Sequence, residues 1–162
     1  MVSLTRSHHA SAHFQRVQAA MRGYGQSTPD APCCPIPDVW ESRLRMLMEE
    51  LLELAESVGV TIFLQSAGEV KMPALDFVPL PNFMLTRNGL PAVLDAIADI
   101  SVVNTGNFVA CGVPDTFILE IVDHNNLQKI ATGKLNPDTG KFEKSPMHPA
   151  PDIAGALALL TE

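Results

Sequence analysis

Aromatic residues are scarce in this chain, with one Trp, one Tyr and seven Phe among 162 residues. Positive charge is also short, with eleven Lys and Arg against eighteen Asp and Glu and a net charge of −7. A chain with so few basic residues is not expected to coat a nucleic-acid polymer or an anionic membrane. Long hydrophobic runs are missing too. The longest uninterrupted stretches, such as 108–111 and 156–160, fall far short of the roughly 20 residues of a membrane span. The three cysteines are an odd number, and the vicinal pair Cys33 and Cys34 cannot easily bridge each other, so no disulfide framework is expected. Residues 1–22 carry three His and three Arg but no continuous apolar segment of a secretory signal. These absences point to a soluble protein of a reducing compartment, with the cytoplasm as the expectation.

Apolar residues make up 46% of the chain, enough to bury the core of one ordinary domain. Clusters of Pro, Gly and polar residues at 23–37, 73–89, 112–115 and 133–151 separate candidate helices. A first helix over 13–22 places Phe14, Val17, Ala20 and Met21 at helical spacing. A second over 38–57 is capped by Asp38, and Gly59 follows its end. A third spans 91–111, with Pro91 in its first turn and Gly112 just past its end. Asp115 caps a fourth, running through 126. Between 130 and 145, Asn136-Pro137-Asp138-Thr139-Gly140 is turn chemistry and predicts a small β-hairpin, followed by an extended proline-rich tail over 146–151. The stretch 60–90 reads least clearly, as an ordered loop or an extra helix. The expected fold is an all-α helical bundle with a small C-terminal β-hairpin or extended tail. It forms a single domain over 1–162 with its core at about 38–153, and 1–37 is an N-terminal helix and proline-rich linker.

On the second helix, Glu49, Glu50, Glu53 and Glu56 fall in one arc at about 100° per residue, opposite Leu44, Leu47, Leu51, Leu54 and Val58. Alone this is the pattern of a solvated acidic face. The third helix sharpens the argument, because Asp95 and Asp99 are four residues apart on a helix that is otherwise apolar nearly all round. Such a helix is expected to be buried, and uncompensated carboxylates on it would each cost several kcal/mol. No Lys or Arg occurs from Asn88 to Gln128, so no local salt bridge is available. A bound cation is the economical partner.

Carboxylates from two helices make an all-oxygen site suited to Mg²⁺ or Mn²⁺. Zinc does not fit, since His124 and His148 are remote from the acids in sequence and Cys33-Cys34 lacks ligand spacing. Carboxylate-bound Mg²⁺ commonly works on a phosphate substrate. In keeping with that, four of the five lysines lie between 126 and 144: Lys129, Lys134, Lys141 and Lys144. They form a candidate anion site, or a solvated hairpin kept soluble by its charge. Asn125 and Asn126 are placed to contact a base or sugar, or to cap the fourth helix. His124 reads as a surface residue.

Three motifs occur in order: Arg43-x-x-x-Leu47-x-Glu49-Glu50-x-x-Glu53-Leu54; Asp95-Ala96-Ile97-Ala98-Asp99-Ile100-x-Val102-Val103-x-x-Gly106 with Gly112-Val113; and Asn126-Leu127-x-Lys129 with Gly140-Lys141-x-x-Lys144 and Pro149-x-Pro151-Asp152. Together they resemble the all-α NTP pyrophosphohydrolases, which include the MazG-like proteins and phosphoribosyl-ATP pyrophosphohydrolase. The third motif is similar to a branch found in phages and bacteria. Two departures stand out. Ala96 occupies a position where many members place a Glu, and the gap between Glu53 and Asp95 is long, implying an inserted loop over 61–89.

The resemblance implies an all-helical homodimer or homotetramer that binds a nucleoside triphosphate through Mg²⁺ and releases the monophosphate and pyrophosphate. It implies Glu50, Glu53, Asp95 and Asp99 as metal ligands, with Glu49 either a ligand or the base that orients water. Glu49 and Glu50 are the catalytic candidates. It also implies Lys129, Lys141 and Lys144 as phosphate contacts, reaching a neighbouring subunit's site, and Asn126 as a nucleotide contact. Other readings of the same residues are a non-catalytic helical module that binds nucleotide or protein, and a metal-dependent phosphomonoesterase.

Overall fold

A computed structural model describes residues 10–64, 75–81, 89–138 and 140–160. In chain order the elements are α1 (Ala12–Gly23), α2 (Pro37–Ser57), β1 (Val60–Leu64), β2 (Leu75–Pro79), α3 (Leu90–Ala110), α4 (Asp115–Lys129), β3 (Lys134–Leu135), β4 (Phe142–Glu143) and α5 (Ile153–Leu160). The mainly helical expectation holds, with two small antiparallel hairpins, β1 with β2 and β3 with β4. The chain divides into two compact units, one of 1–34 with 108–162 and the other of 35–107.

In the 35–107 unit, α2 begins at Pro37, whose fixed φ suits a first helical turn. Ile36 is the N-cap and supplies no side-chain hydrogen bond, so Asp38 is not the cap expected from sequence. It sits inside the first turn, where its charge meets the positive end of the helix dipole. The chain leaves α2 through Gly59 at φ 70°, a left-handed conformation that favours glycine. The stretch 60–90, expected as a loop or helix, instead contributes a ladder pairing Val60 with Pro79, Ile62 with Phe77 and Leu64 with Leu75. The Gly59 carbonyl accepts from Leu80 N–H at 2.7 Å and closes the base of that ladder. The strand signal was the β-branched and aromatic content of Val60-Thr61-Ile62-Phe63-Leu64. Part of the expected 61–89 insertion, residues 65–74 and 82–88, lies outside the described residues.

The burial expected of α3 is only partly realised. Val93, Ala96, Val103 and Thr105 are buried, but Leu94 (56% exposed), Ile97 and Val102 are open to solvent. The apolar arc expected to pack on α2 is also uncovered, since Leu44 is 60% exposed and Leu51 is exposed. The buried residues of α2 are instead Arg43 and Ala55. By length and composition, α3 is also long and apolar enough to cross a bilayer, at a mean hydropathy of 1.2. Asp95, Asp99, Ser101 and Asn104 divide the segment, so it contains no long uninterrupted apolar run. The core helix of a soluble protein can be equally long and apolar.

In the other unit, Phe14, Val17 and Met21 of α1 are buried, as are Val109, Ala110, Val113, Phe117 and Ala156. Ser11 caps α1 by accepting from Phe14 N–H at 2.9 Å. Asp115 does not cap α4 as expected: Pro114 holds that position, and the Asp115 carboxylate binds Ser11. The expected C-terminal hairpin is present, with Lys134 paired to Glu143 and Leu135 to Phe142. Asn136 Oδ1 accepts from Asp138 N–H at 2.9 Å, and Gly140 takes φ 65°; Thr139 lies outside the described residues. Sequence reading did not anticipate α5, whose first turn is held by Asp152 Oδ1 accepting from Gly155 N–H at 2.9 Å.

Candidate functional site

Of the sequence-selected carboxylates, Glu53 of α2 and Asp95 of α3 line one cleft in the 35–107 unit, and Glu49, Glu53, Asp95 and Asp99 act electrostatically on Glu50. Arg43, near the start of α2, bonds Asn107 and Val103 late in α3. Further along α2, Glu53, Glu56 and Ser57 share a cleft with Ala92, Asp95 and Ala96 from early in α3. Rising residue numbers on one helix therefore meet falling numbers on the other, so the two run antiparallel. Glu50 stands between these points, half-buried like Asp99, while Glu53 and Asp95 are exposed.

Glu50 carries the electrostatic mark of this arrangement. Partial burial, then the negative charges of Glu53, Asp99, Glu49 and Asp95, push its carboxyl above the ordinary range. Helix geometry explains why all four reach it: Glu49 and Glu53 are its neighbours on α2, and Asp95 and Asp99 are one turn apart on α3. Among the described residues, none of Glu50, Glu53, Asp95 and Asp99 forms an ion pair with Lys or Arg. Glu49 differs, because it lies within electrostatic reach of Arg45, which is itself paired with Glu41 at 2.8 Å.

The cleft is about 460 Å³, lined by Glu53, Glu56, Ser57, Ala92, Asp95 and Ala96. It adds Glu56 and Ser57 to the sequence-selected set. Glu56 had a visible signal, since it falls on the same helical arc three residues after Glu53. Ser57 had none. Ala96, 5% exposed, presents a methyl group at the edge of this cleft. The donor set is all oxygen and suits a hard divalent cation. Among the described residues, however, no three Asp, Glu, His or Cys side chains close on one point as a formed metal site.

Arg43 was quoted in the first motif without a role, and the structure supplies one. It is 6% exposed, with Nε donating to Asn107 Oδ1 at 2.9 Å and Nη2 donating to the Val103 carbonyl. Burial lowers its pKa from the ordinary value. Its place over Gly106 lets α2 and α3 approach, because a Cβ there would collide with the guanidinium.

The candidate anion and nucleotide residues lie in the other unit. Asn126 is exposed, and its Oδ1 accepts from the Lys129 ammonium, so these two candidates bind each other. Lys141 and Lys144 are exposed around β4. The neighbouring Asn125 is the buried one, at 6% exposure, with Nδ2 donating to the Pro149 carbonyl at 3.0 Å and Oδ1 without a partner among the described residues. His124 is on the surface as expected, hydrogen-bonded to Gln128 at 3.0 Å. The chain matches no family model and no curated protein.

Proposed function

We propose that this protein is a Mg²⁺-dependent nucleoside triphosphate pyrophosphohydrolase. The observation that carries the reading is the convergence of charge on Glu50: four further carboxylates from two antiparallel helices act on it, and none of these five acids forms an ion pair among the described residues. Mg²⁺ held by Glu50, Glu53, Asp95 and Asp99 would neutralise phosphate oxygens and activate water, with Mn²⁺ an effective substitute. Glu49 is proposed either as a further ligand or as the base that orients the attacking water and takes its proton. The reaction consumes one water and gives nucleoside monophosphate and pyrophosphate. Lys129, Lys141, Lys144 and Asn126 are the proposed substrate contacts. A second copy of the chain is the proposed cover for the exposed Leu44, Leu51, Leu94 and Ile97, giving a homodimer or homotetramer, which light scattering tests.

The deciding experiment is hydrolysis of a panel of NTPs and dNTPs with Mg²⁺ or Mn²⁺, with and without EDTA, resolving the products. Monophosphate plus pyrophosphate, abolished by EDTA, is the expected result. Diphosphate or orthophosphate as the product would reassign the chemistry. No turnover, together with no metal-induced rise in melting temperature, would favour a non-catalytic helical binding module.

A further inference from the structure

All three cysteines gather at the C-terminal end of α3, although Cys111 lies far from the vicinal pair in sequence. Cys33 N–H donates to the Cys111 carbonyl at 2.9 Å, and Cys33 Sγ lies 3.8 Å from the Ala110 carbonyl, within reach of a weak S–H hydrogen bond. The segment before Cys33 is laid against the same turn. Gly112 adopts φ 65°, and a Cβ added there would collide with the Ala31 carbonyl. Standard bond lengths put an amide N about 1.46 Å from its own Cα and a carbonyl O about 2.4 Å from its own. A 2.9 Å N···O bond therefore holds the Cα atoms of Cys33 and Cys111 within about 6.8 Å, the outer edge of the disulfide range. Cys33 and Cys34 are exposed and Cys111 is half-exposed, so an oxidant in solution can reach the group.

We propose that Cys33 and Cys111 are a peroxide-oxidisable thiol pair that closes to an intramolecular disulfide, stapling the 24–36 segment to the end of α3. The exposed Cys33 reacts first: its thiolate sulfur attacks hydrogen peroxide, the O–O bond breaks, and Cys33 becomes a sulfenic acid as one water leaves. The Cys111 sulfur then attacks the Cys33 sulfur, the S–O bond breaks, and a second water leaves with the thiol proton. Two thiols are oxidised and one peroxide is reduced to two waters. Burial, together with the neighbouring Cys33 and Cys34, raises the Cys111 pKa, which disfavours it as the first thiol to attack peroxide, and its backbone contact with Cys33 fits it to the second step. Cys34 is not needed for the bridge.

The test treats reduced full-length protein with hydrogen peroxide, counts thiols under denaturing conditions, and maps the bridge by mass spectrometry of a non-reducing digest. The thiol count is expected to fall from three to one per chain, with the product monomeric in covalent structure. Because Cys33 and Cys34 share one tryptic peptide, variants assign the partner. C34S should bridge at a rate within about twofold of the parent, C33S at least about tenfold slower, and C111S should form no intramolecular bridge. A Cys33–Cys34 bridge, a disulfide-linked dimer, oxidation to sulfinate without a bridge, or bridging in C33S as fast as in the parent would each overturn the assignment.

Discussion

Arg43 lies across Gly106, and a Cβ built at position 106 would fall 2.8 Å from the guanidinium carbon. One helix supplies a long cation and the other supplies the gap that admits it. The contact sits at one end of the antiparallel α2–α3 pair whose opposite end forms the acidic cleft. It therefore fixes the register at which Glu50 confronts Asp95 and Asp99.

That relationship predicts a reversal of sign. In the parent, Gly106→Ala displaces the guanidinium from Val103 and Asn107 and should cost about 1–3 kcal/mol, less the helix propensity alanine gains. In an Arg43→Ala background the guanidinium clash is gone, and the same substitution should stabilise by up to about 1 kcal/mol. Urea unfolding of the four proteins measures the cycle. Equal effects of Gly106→Ala in both backgrounds would show that the two residues are not coupled.

The helices were legible because their signals are local: Pro91 at one start, Gly59 and Gly112 at the ends, and a 3.6-residue period between. The carboxylates were legible for the same reason, since spacing places side chains on one arc of a helix. Long-range features were hidden. Asp115 looked like a helix cap because cap propensity is local, but Ser11, 104 positions away, claims its carboxylate. Asn126 was selected through the resemblance of Asn126-Leu127-x-Lys129, and the burial of its neighbour Asn125 left no trace, because nothing in the sequence says which of two adjacent asparagines turns inward. The β1–β2 ladder was missed because one of its strands is interrupted in character by Asp76 and closed by Pro79.

The elevated Glu50 pKa predicts a pH dependence of stability without metal. Its folded-state value lies above the ordinary 4.5, so between the two values the folded chain holds more protons than the unfolded one. The stabilisation is full below 4.5 and is lost as pH rises through the folded value. Glu50→Gln should flatten that part of the profile, keep the helical circular-dichroism signal, and lower turnover by about 10²-fold or more. A helicity loss in this variant would assign Glu50 a structural role.

Divalent metal should reverse that repulsion. At about 100 times its dissociation constant, Mg²⁺ is expected to stabilise the protein by about 2.7 kcal/mol, read as a rise in melting temperature that EDTA removes. Asp99→Asn and Glu53→Gln should each shrink the rise. Lys141→Ala, on the hairpin of the other unit, should leave it unchanged. A metal-induced rise that survives loss of Glu50, Glu53 and Asp99 together would place the cation elsewhere.

Asp115 accepts three hydrogen bonds, from Ser11 N–H at 3.0 Å, Ser11 Oγ–H at 2.6 Å and Thr116 N–H at 2.9 Å, and is 5% exposed. The same Ser11 hydroxyl oxygen accepts from Phe14 N–H, so one side chain caps α1 and fastens its start to the first residue of α4. Asp115→Ala should therefore cost about 2–4 kcal/mol, because it leaves donors unpaired in a part-buried place. Ser11→Ala should cost about 1–2 kcal/mol through the lost cap and the lost hydroxyl bond. The double variant should be less destabilised than the sum by about 1 kcal/mol, since the Ser11 hydroxyl bond can be lost only once. Strict additivity in thermal or urea unfolding would mean the Ser11–Asp115 contact contributes nothing to holding α1 in place.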